Sequence, residues 1–236
     1  AFVSNRSGSW ELFLADADGT QLAQLTNGIG FTGEFTWSPG GTIAFTRAVG
    51  GGGADIYTMN ADGSNEVRLI SNGGWLANLA WAADGSRLTF DCMGDVCAIN
   101  ADGTGFVQLT AGGGYGGVLS PSGDKLVFTT GVGIAVLKTD GTVVPVAPGT
   151  TGVGPVWSPD GASLAFGGTE TIAYSGRCYF GGGAHNADDF CVPMTGIYGV
   201  NADGSNLRLL ALGTSPDWFR PRPGQPIASF TEQCNG

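Results

Sequence analysis

Apolar residues fall into short runs of three to five along this chain, punctuated by Gly, Asp-Gly or Pro, and no stretch sustains a helical period. Four of the runs are near copies: Thr42-Ile-Ala-Phe45, Arg87-Leu-Thr-Phe90, Lys125-Leu-Val-Phe128 and Ser163-Leu-Ala-Phe166. Each follows a turn-like box: Trp37-Ser-Pro-Gly-Gly41, Trp81-Ala-Ala-Asp-Gly85, Leu119-Ser-Pro-Ser-Gly123 and Trp157-Ser-Pro-Asp-Gly161, with a degenerate fifth at Trp218-Phe-Arg-Pro221. A second box recurs as Asp16-Ala-Asp-Gly-Thr20, Asn60-Ala-Asp-Gly-Ser64, Asn100-Ala-Asp-Gly-Thr104, Lys138-Thr-Asp-Gly-Thr142 and Asn201-Ala-Asp-Gly-Ser205. Its glycines stand at 19, 63, 103, 141 and 204, so the steps are 44, 40, 38 and 63. Pro presets φ and Gly accepts positive φ, so both boxes predict tight turns, and Asp-Gly between apolar runs predicts a hairpin. Between the boxes lie further strands such as Asp55–Met59 and Val67–Ile70.

Four short strands per period of about 40 residues is the signature of a β-propeller blade. The fold class is therefore all-β, a propeller of four-stranded antiparallel blades. Five blades are favoured, with six the alternative. The chain starts inside a unit, because Ala1-Phe-Val-Ser4 matches the end of a second strand. The innermost strand missing from that unit is expected from the C-terminal segment Ser215–Phe219, which would close the ring and remove a sheet edge. The propeller is expected over 1–219, with an insertion at 167–196 that accounts for the long step. Residues 220–236 read as a Pro-rich linker or terminal strand. Pro226-Ile-Ala-Ser-Phe-Thr231 resembles the opening of a PKD-type domain, which would lead into a further domain.

The boxes also resemble the WD40-like PD40 repeats of the TolB family of β-propellers, over nearly the whole chain. The pattern departs at Leu119, where Trp is lost, at Ala82-Ala83, where Ser-Pro is lost, and at the irregular fifth box. TolB proteins carry a helical partner domain and six blades, whereas five repeats and no such domain are visible here. The resemblance implies a propeller whose recurring residues serve the ring.

Composition narrows the function. Gly makes up 43 of 236 residues, charged residues only 13% and hydrophobic ones 42%, which does not fit a disordered chain. A net charge of −10 repels phosphate, so nucleic acid is not expected as a partner. No apolar run is long enough for a helical membrane span.

Five cysteines suggest an oxidising setting. Cys92 and Cys97 flank a tight turn; with Gly94-Asp95 as its central residues, the two would face each other across a hairpin and form a disulfide. Cys178 and Cys191 bracket a Gly-rich excursion and form a second expected pair, leaving Cys234 over. Two disulfides and a chain beginning at Ala1 point to a trimmed protein in the periplasm, at the cell surface or outside the cell.

Candidate chemistry is confined to the irregular segments. Connections from second to third strand are expected to be long at Arg47–Ala54 and Gly167–Gly196, both at one end of the ring. The second holds Tyr179, Phe180, His185, Asp188, Asp189 and Phe190, a disulfide-stapled recognition loop with aromatic anchors. No cofactor is expected, although Asp188, Asp189 and His185 could take a cation such as calcium. The recurring Trp residues read as inter-blade packing. Asp62, Asp102, Asp140 and Asp203 read as turn formers, and the Asn60, Asn100 and Asn201 amides as local backbone binders.

Glycoside cleavage would need carboxylates converging on the channel, and the innermost strands offer only Glu34 and Asp217. There is one His and no nucleophile elbow on a strand–helix turn. The expected function is thus a non-enzymatic module for protein–protein interaction, scaffolding or self-assembly. A glycan-binding or glycan-cleaving site at the channel mouth is the alternative.

Overall fold

The computed structural model describes residues 1–28, 32–71, 74–150, 152–170 and 194–212. Both boxes are turns. In the Asp-Gly box the Asn60 N–H donates to Ser64 O (2.9 Å) and the Gly63 N–H to Asn60 O (3.0 Å), and the same pair of bonds recurs from Asp16, Asn100, Lys138 and Asn201. In the other box the Ser158 N–H donates to Ser163 O and the Gly161 N–H to Ser158 O, both at 2.8 Å. Side chains lock these turns: the Ser64 N–H donates to Asp62 Oδ1 at 2.9 Å. Asn60, Asn100 and Asn201 donate instead to the hydroxyls of Ser64, Thr104 and Ser205, so they bond side chains rather than the expected backbone.

Hairpins joined by these turns build five antiparallel sheets in chain order. The first has three described strands, β1 (Phe2–Ser4), β2 (Glu11–Leu14) and β3 (Ala23–Gln24). The other four have four each. β4 (Thr32–Trp37), β5 (Ile43–Val49), β6 (Gly53–Met59) and β7 (Val67–Ile70) form the second. β8 (Leu76–Trp81), β9 (Arg87–Cys92), β10 (Asp95–Asn100) and β11 (Val107–Gln108) form the third. The fourth contains β12 (Tyr115–Leu119), β13 (Lys125–Thr130), β14 (Gly133–Lys138) and β15 (Val143–Pro148). The fifth contains β16 (Val153–Trp157), β17 (Ser163–Glu170), β18 (Met194–Asn201) and β19 (Arg208–Leu212).

The first strands of the four-stranded sheets touch in succession, β4 with β8, β8 with β12 and β12 with β16. They form a hub with the remaining strands running outward. The core lies between sheets. Leu88, Phe90, Cys92 and Cys97 of the third sheet pack on Ala44, Ile56 and Ile70 of the second. Trp157, Leu164, Phe166 and Tyr198 of the fifth pack on Val127, Ile134 and Val136 of the fourth. Full burial of each such side chain stabilises by roughly 1.5–3 kcal/mol. The repeated residues hold equivalent registers: Trp37 pairs with Ile43, Trp81 with Leu88, Leu119 with Leu126 and Trp157 with Leu164. Trp157 also crosses to the preceding hub strand, its Nε1–H donating to Val118 O at 3.0 Å.

Two expectations change, and a third falls partly outside the described residues. The Cys92–Cys97 disulfide is present, but by a different register. Met93 and Gly94, both at positive φ (51° and 86°), are the turn residues, so Cys92 pairs with Asp95 and Cys97 with Phe90. Two consecutive left-handed residues suit the twist of a two-residue hairpin, and the cysteines become diagonal neighbours with Cα atoms 5.8 Å apart. The expected long loop Arg47–Ala54 is mostly strand, because Arg47, Ala48 and Val49 pair with Asp55, Ala54 and Gly53. Finally, the first sheet is one strand short of a full blade among the described residues. The segment 215–219 expected to supply that strand lies outside them, as do 220–236 and the pair Cys178–Cys191.

Closing a short loop by Cys92–Cys97 is worth about 2 kcal/mol by chain entropy. Cys92→Ser with Cys97→Ser should lower the unfolding free energy by about that amount in denaturant titrations. Adding reductant to the double variant should then change little at this sheet. A thiol count under denaturing conditions should find no more than three of the five cysteines free.

Candidate functional site

The excursion residues Tyr179, Phe180, His185, Asp188, Asp189 and Phe190 lie outside the described residues, and so does Asp217. Glu34 is described, on hub strand β4. Its bonding is that of a clamp between sheets. Each hub strand shifts register near its start, by a bulge between Thr32 and Phe35, Ala77 and Ala80, Tyr115 and Val118, and Val153 and Val156. Such bulges leave N–H groups outside the ladder. Glu34 Oε2 accepts the Asn78 N–H (2.7 Å) and Oε1 the Leu79 N–H (3.0 Å), both at the bulge of the next sheet.

The link continues around the hub. Asn78 sits at φ 54°, which Asn tolerates, and its Nδ2 donates to Asp91 Oδ2 at 2.6 Å. Asp91 Oδ1 accepts the Gly116 N–H of the fourth sheet's bulge at 2.8 Å. Glu34, Asn78 and Gly116 each stand three residues before the Trp or Leu that ends the hub strand. Burial pushes the Glu34 and Asp91 carboxyls up; hydrogen bonds from the Asn78 and Leu79 N–H groups at Glu34, and from Asn78 and Gly116 at Asp91, oppose the shift. All four carboxylate oxygens are engaged. Among the described residues no three His, Cys, Asp or Glu side chains converge on a metal-sized site.

Both ends of the sheets expose apolar side chains, including Leu22, Val67, Phe106 and Val143 just after the Asp-Gly turns, but the most exposed ones share one end. The end with the second-to-third and sheet-to-sheet connections exposes Trp75 (78%), Val132 (74%) and Met93 (72%), with Trp10, Tyr115 and Val153 also exposed. At the other end lie the turn aspartates. Hydrogen bonds from the hydroxyl two residues on, then from its backbone N–H, hold Asp18, Asp62, Asp102 and Asp203 below the ordinary carboxyl range. Their bonding supports the reading of these residues as turn formers.

No protein-family model matches the sequence, and no curated protein matches it. Solved structures do. A protein of Agrobacterium tumefaciens assigned as TolB aligns with a TM-score of 0.63 at 20% identity, over 88% of this chain and 78% of that one. The chain has the β-propeller fold of TolB. TolB from Acinetobacter baumannii aligns at 0.60 and 20% identity, over 86% of this chain but only 48% of its own length. An oligogalacturonate lyase of Vibrio parahaemolyticus aligns at 0.61 and 13% identity, over 88% of this chain and 60% of that one. A TolB-like propeller fold is therefore shared by an enzyme and by TolB proteins, and fold alone does not choose a function.

Sequence reading missed Asp91 and Asn78 because neither stands in a box; the signal available was Asn78 in the column of Glu34, Gly116 and Gly154. Glu34→Ala orphans the Asn78 and Leu79 N–H groups and should lower stability by about 1–3 kcal/mol. Glu34→Gln behaves differently with pH. A folded-state pKa above the ordinary 4.5 means that this residue's contribution is fully present below 4.5 and is lost as pH rises through the folded value. Thermal melts should show Glu34→Gln gaining on the wild type as pH rises from below 4.5 to neutrality.

Proposed function

We propose that this chain is a secreted, non-enzymatic β-propeller serving as a protein–protein interaction or scaffold module. Its working surface is the end that carries Trp75, Met93 and Val132. The observation that carries this reading is the contrast at that end: large apolar side chains stand out in solvent while the channel-side carboxylates are consumed by hub hydrogen bonds. The three most exposed large apolar side chains, Trp75, Val132 and Met93, all stand at this end. Exposed apolar groups mark interaction surfaces, and aromatic anchors commonly dominate them. The buried Cys92–Cys97 disulfide supports an extracytoplasmic setting.

We also infer five blades, with the first sheet completed by the segment 215–219. Its three described strands lack the hub strand that the other four possess. Removing 213–236 should then lower the melting temperature by several degrees, whereas an unchanged melt would assign closure elsewhere.

A glycan-binding reading draws support from Trp75 and Tyr115, two exposed aromatics at the end where Glu34 lies. Photo-crosslinking distinguishes the two. Benzoylphenylalanine in place of Trp75 or Val132, in protein made by its native host, should give protein adducts. The same probe in place of Leu22 or Asp140, at the Asp-rich end, should not. Adducts only from the Asp-rich end, or glycan-array binding that Trp75→Ala abolishes, would overturn the interaction reading.

A further inference from the structure

At two of the four joints between described sheets, second–third and fourth–fifth, the repeat makes two contacts near the Asp-rich end. The first–second joint makes one of them. The box proline of one sheet lies against a turn glycine of the next: a Cβ on Gly85 would stand 3.7 Å from Pro39 Cδ, and one on Gly161 would stand 3.4 Å from Pro121 Cδ. Farther from the hub, the Asp-Gly turn meets the outer strand of the sheet before it. A Cβ on Gly63 would stand 3.2 Å from Leu25 O, one on Gly103 3.5 Å from Leu69 Cδ2, and one on Gly204 3.3 Å from Val146 Cα.

Between the third and fourth sheets both contacts are missing. Ala83 stands where the proline would be, and a Cβ on Gly123 or on Gly141 would meet nothing within 4 Å. This is also the joint at which Leu119 replaces the bulky Trp. Nearer the hub the same two sheets are locked. Thr89 Oγ1 donates to Gly117 O at 2.6 Å, and a Cβ on Gly117 would fall on the Val96 side chain. Beyond the hub Val96 packs on Leu126, Phe128 and Ala135, with Leu109, Leu119 and Leu137 against them. Where the turn contacts are lost, the joint carries a groove of about 910 Å3.

The groove has two chemistries. Half-buried Leu119 and Leu137 of the fourth sheet line it with Leu109 of the third, over the buried Leu126 and Phe128. Six residues of β13 give it a length of roughly 20 Å. At its Asp-rich end it is lined by Arg87, Lys125 and Lys138, three of the seven Lys and Arg among the described residues. Arg87 Nε is buried and has no hydrogen-bond partner among the described residues. The one carboxylate lining the groove, Asp124, accepts from the Ser120 and Ser122 hydroxyls and lies 3.6 Å from Lys125 Nζ. Lys125 already faces Asp124, and Lys138 faces Asp140 and Asp203. Arg87, its Nε unpartnered beside an apolar lining, is complementary to an apolar ligand that carries negative charge at one end.

We infer that this groove docks an extended apolar segment of a partner protein ending in carboxylates, with its side chains on Leu109, Leu119 and Leu137 and an acidic group at Arg87. Gly112, Gly113, Gly131 and Gly133 line the opposite end, offering bare backbone to a peptide. The groove reaches the apolar end of the sheets at Val132, but its test reads Arg87 at the opposite end, so its failure is distinguishable from failure of the interaction reading.

Fluorescence anisotropy on the full chain, with the labelled peptide Leu-Val-Phe-Leu-Asp-Glu as probe, reads the proposal. Binding should weaken by about tenfold in Arg87→Gln and by a similar factor when the peptide ends in Asn-Gln, each corresponding to about 1.4 kcal/mol. Ala83→Pro combined with Leu119→Trp restores the contacts of the other joints and should abolish binding while raising the melting temperature. Should the double variant misfold, Ala83→Pro alone should weaken binding. A wild-type Kd above about 1 mM, or an affinity indifferent to Arg87→Gln, would overturn the inference. Binding of dodecanoate with the same sensitivity to Arg87→Gln, and none of the peptide, would overturn the peptide in favour of a small amphiphile.

Discussion

A four-stranded sheet has two apolar faces and cannot bury either alone, so every sheet here depends on its neighbours. The second strand shows this most clearly. Ala44 faces the third sheet while Ile43 and Phe45 face the first, and all three are buried. Stability in such an array is a sum of intrinsic and nearest-neighbour terms. The identity of a residue in one box is therefore read out at the joint with the adjacent sheet, not within its own sheet.

Hydrophobic packing does not fix the sheets around an axis by itself; the hub does. Bulges at the start of β4, β8, β12 and β16 release N–H groups, and the sequence supplies acceptors from the preceding sheet: Glu34 for Asn78 and Leu79, Asp91 for Gly116. Both carboxyls are held above their ordinary values by burial, a cost tolerated because an unpaired buried N–H is also costly. A carboxylate with both oxygens committed to backbone is a poor candidate for acid–base work. Position near a channel is thus a weaker indication of catalysis than unsatisfied bonding capacity.

The parts of this fold that were legible in sequence are those in which local chemistry decides conformation. Asp-Gly and Ser-Pro boxes specify turns through φ and side-chain acceptors, and the Phe and Trp spacing specifies which face is buried. Strand length was not legible around Gly50–Gly52: small residues carry no apolar signal, yet β5 and β6 extend because backbone pairing needs no side chain. The Cys92–Cys97 turn was misread by one residue because both registers leave a Gly in the loop, and only the tolerance of Met93 for positive φ separates them. Met93 and Val132 are exposed because each falls in a two-residue hairpin turn, which an apolar residue type does not announce.

Departures from the repeat carry more information than the repeat itself. Ala83 and Leu119, taken singly, are unremarkable small-for-large replacements. The structure brings both to one joint, where the turn glycines Gly123 and Gly141 have also lost their neighbours. Loosening that joint does not part the two sheets, because Thr89 and Asp91 still hold Gly117 and Gly116 at the hub. A propeller can therefore open one inter-sheet groove at the cost of a few van der Waals contacts while its axis stays fixed. Arg87 and Lys125 collect in the groove that results, in a chain otherwise dominated by acids. Smaller side chains explain the cavity but not its charge, and the charge is what marks it as a site for something to bind.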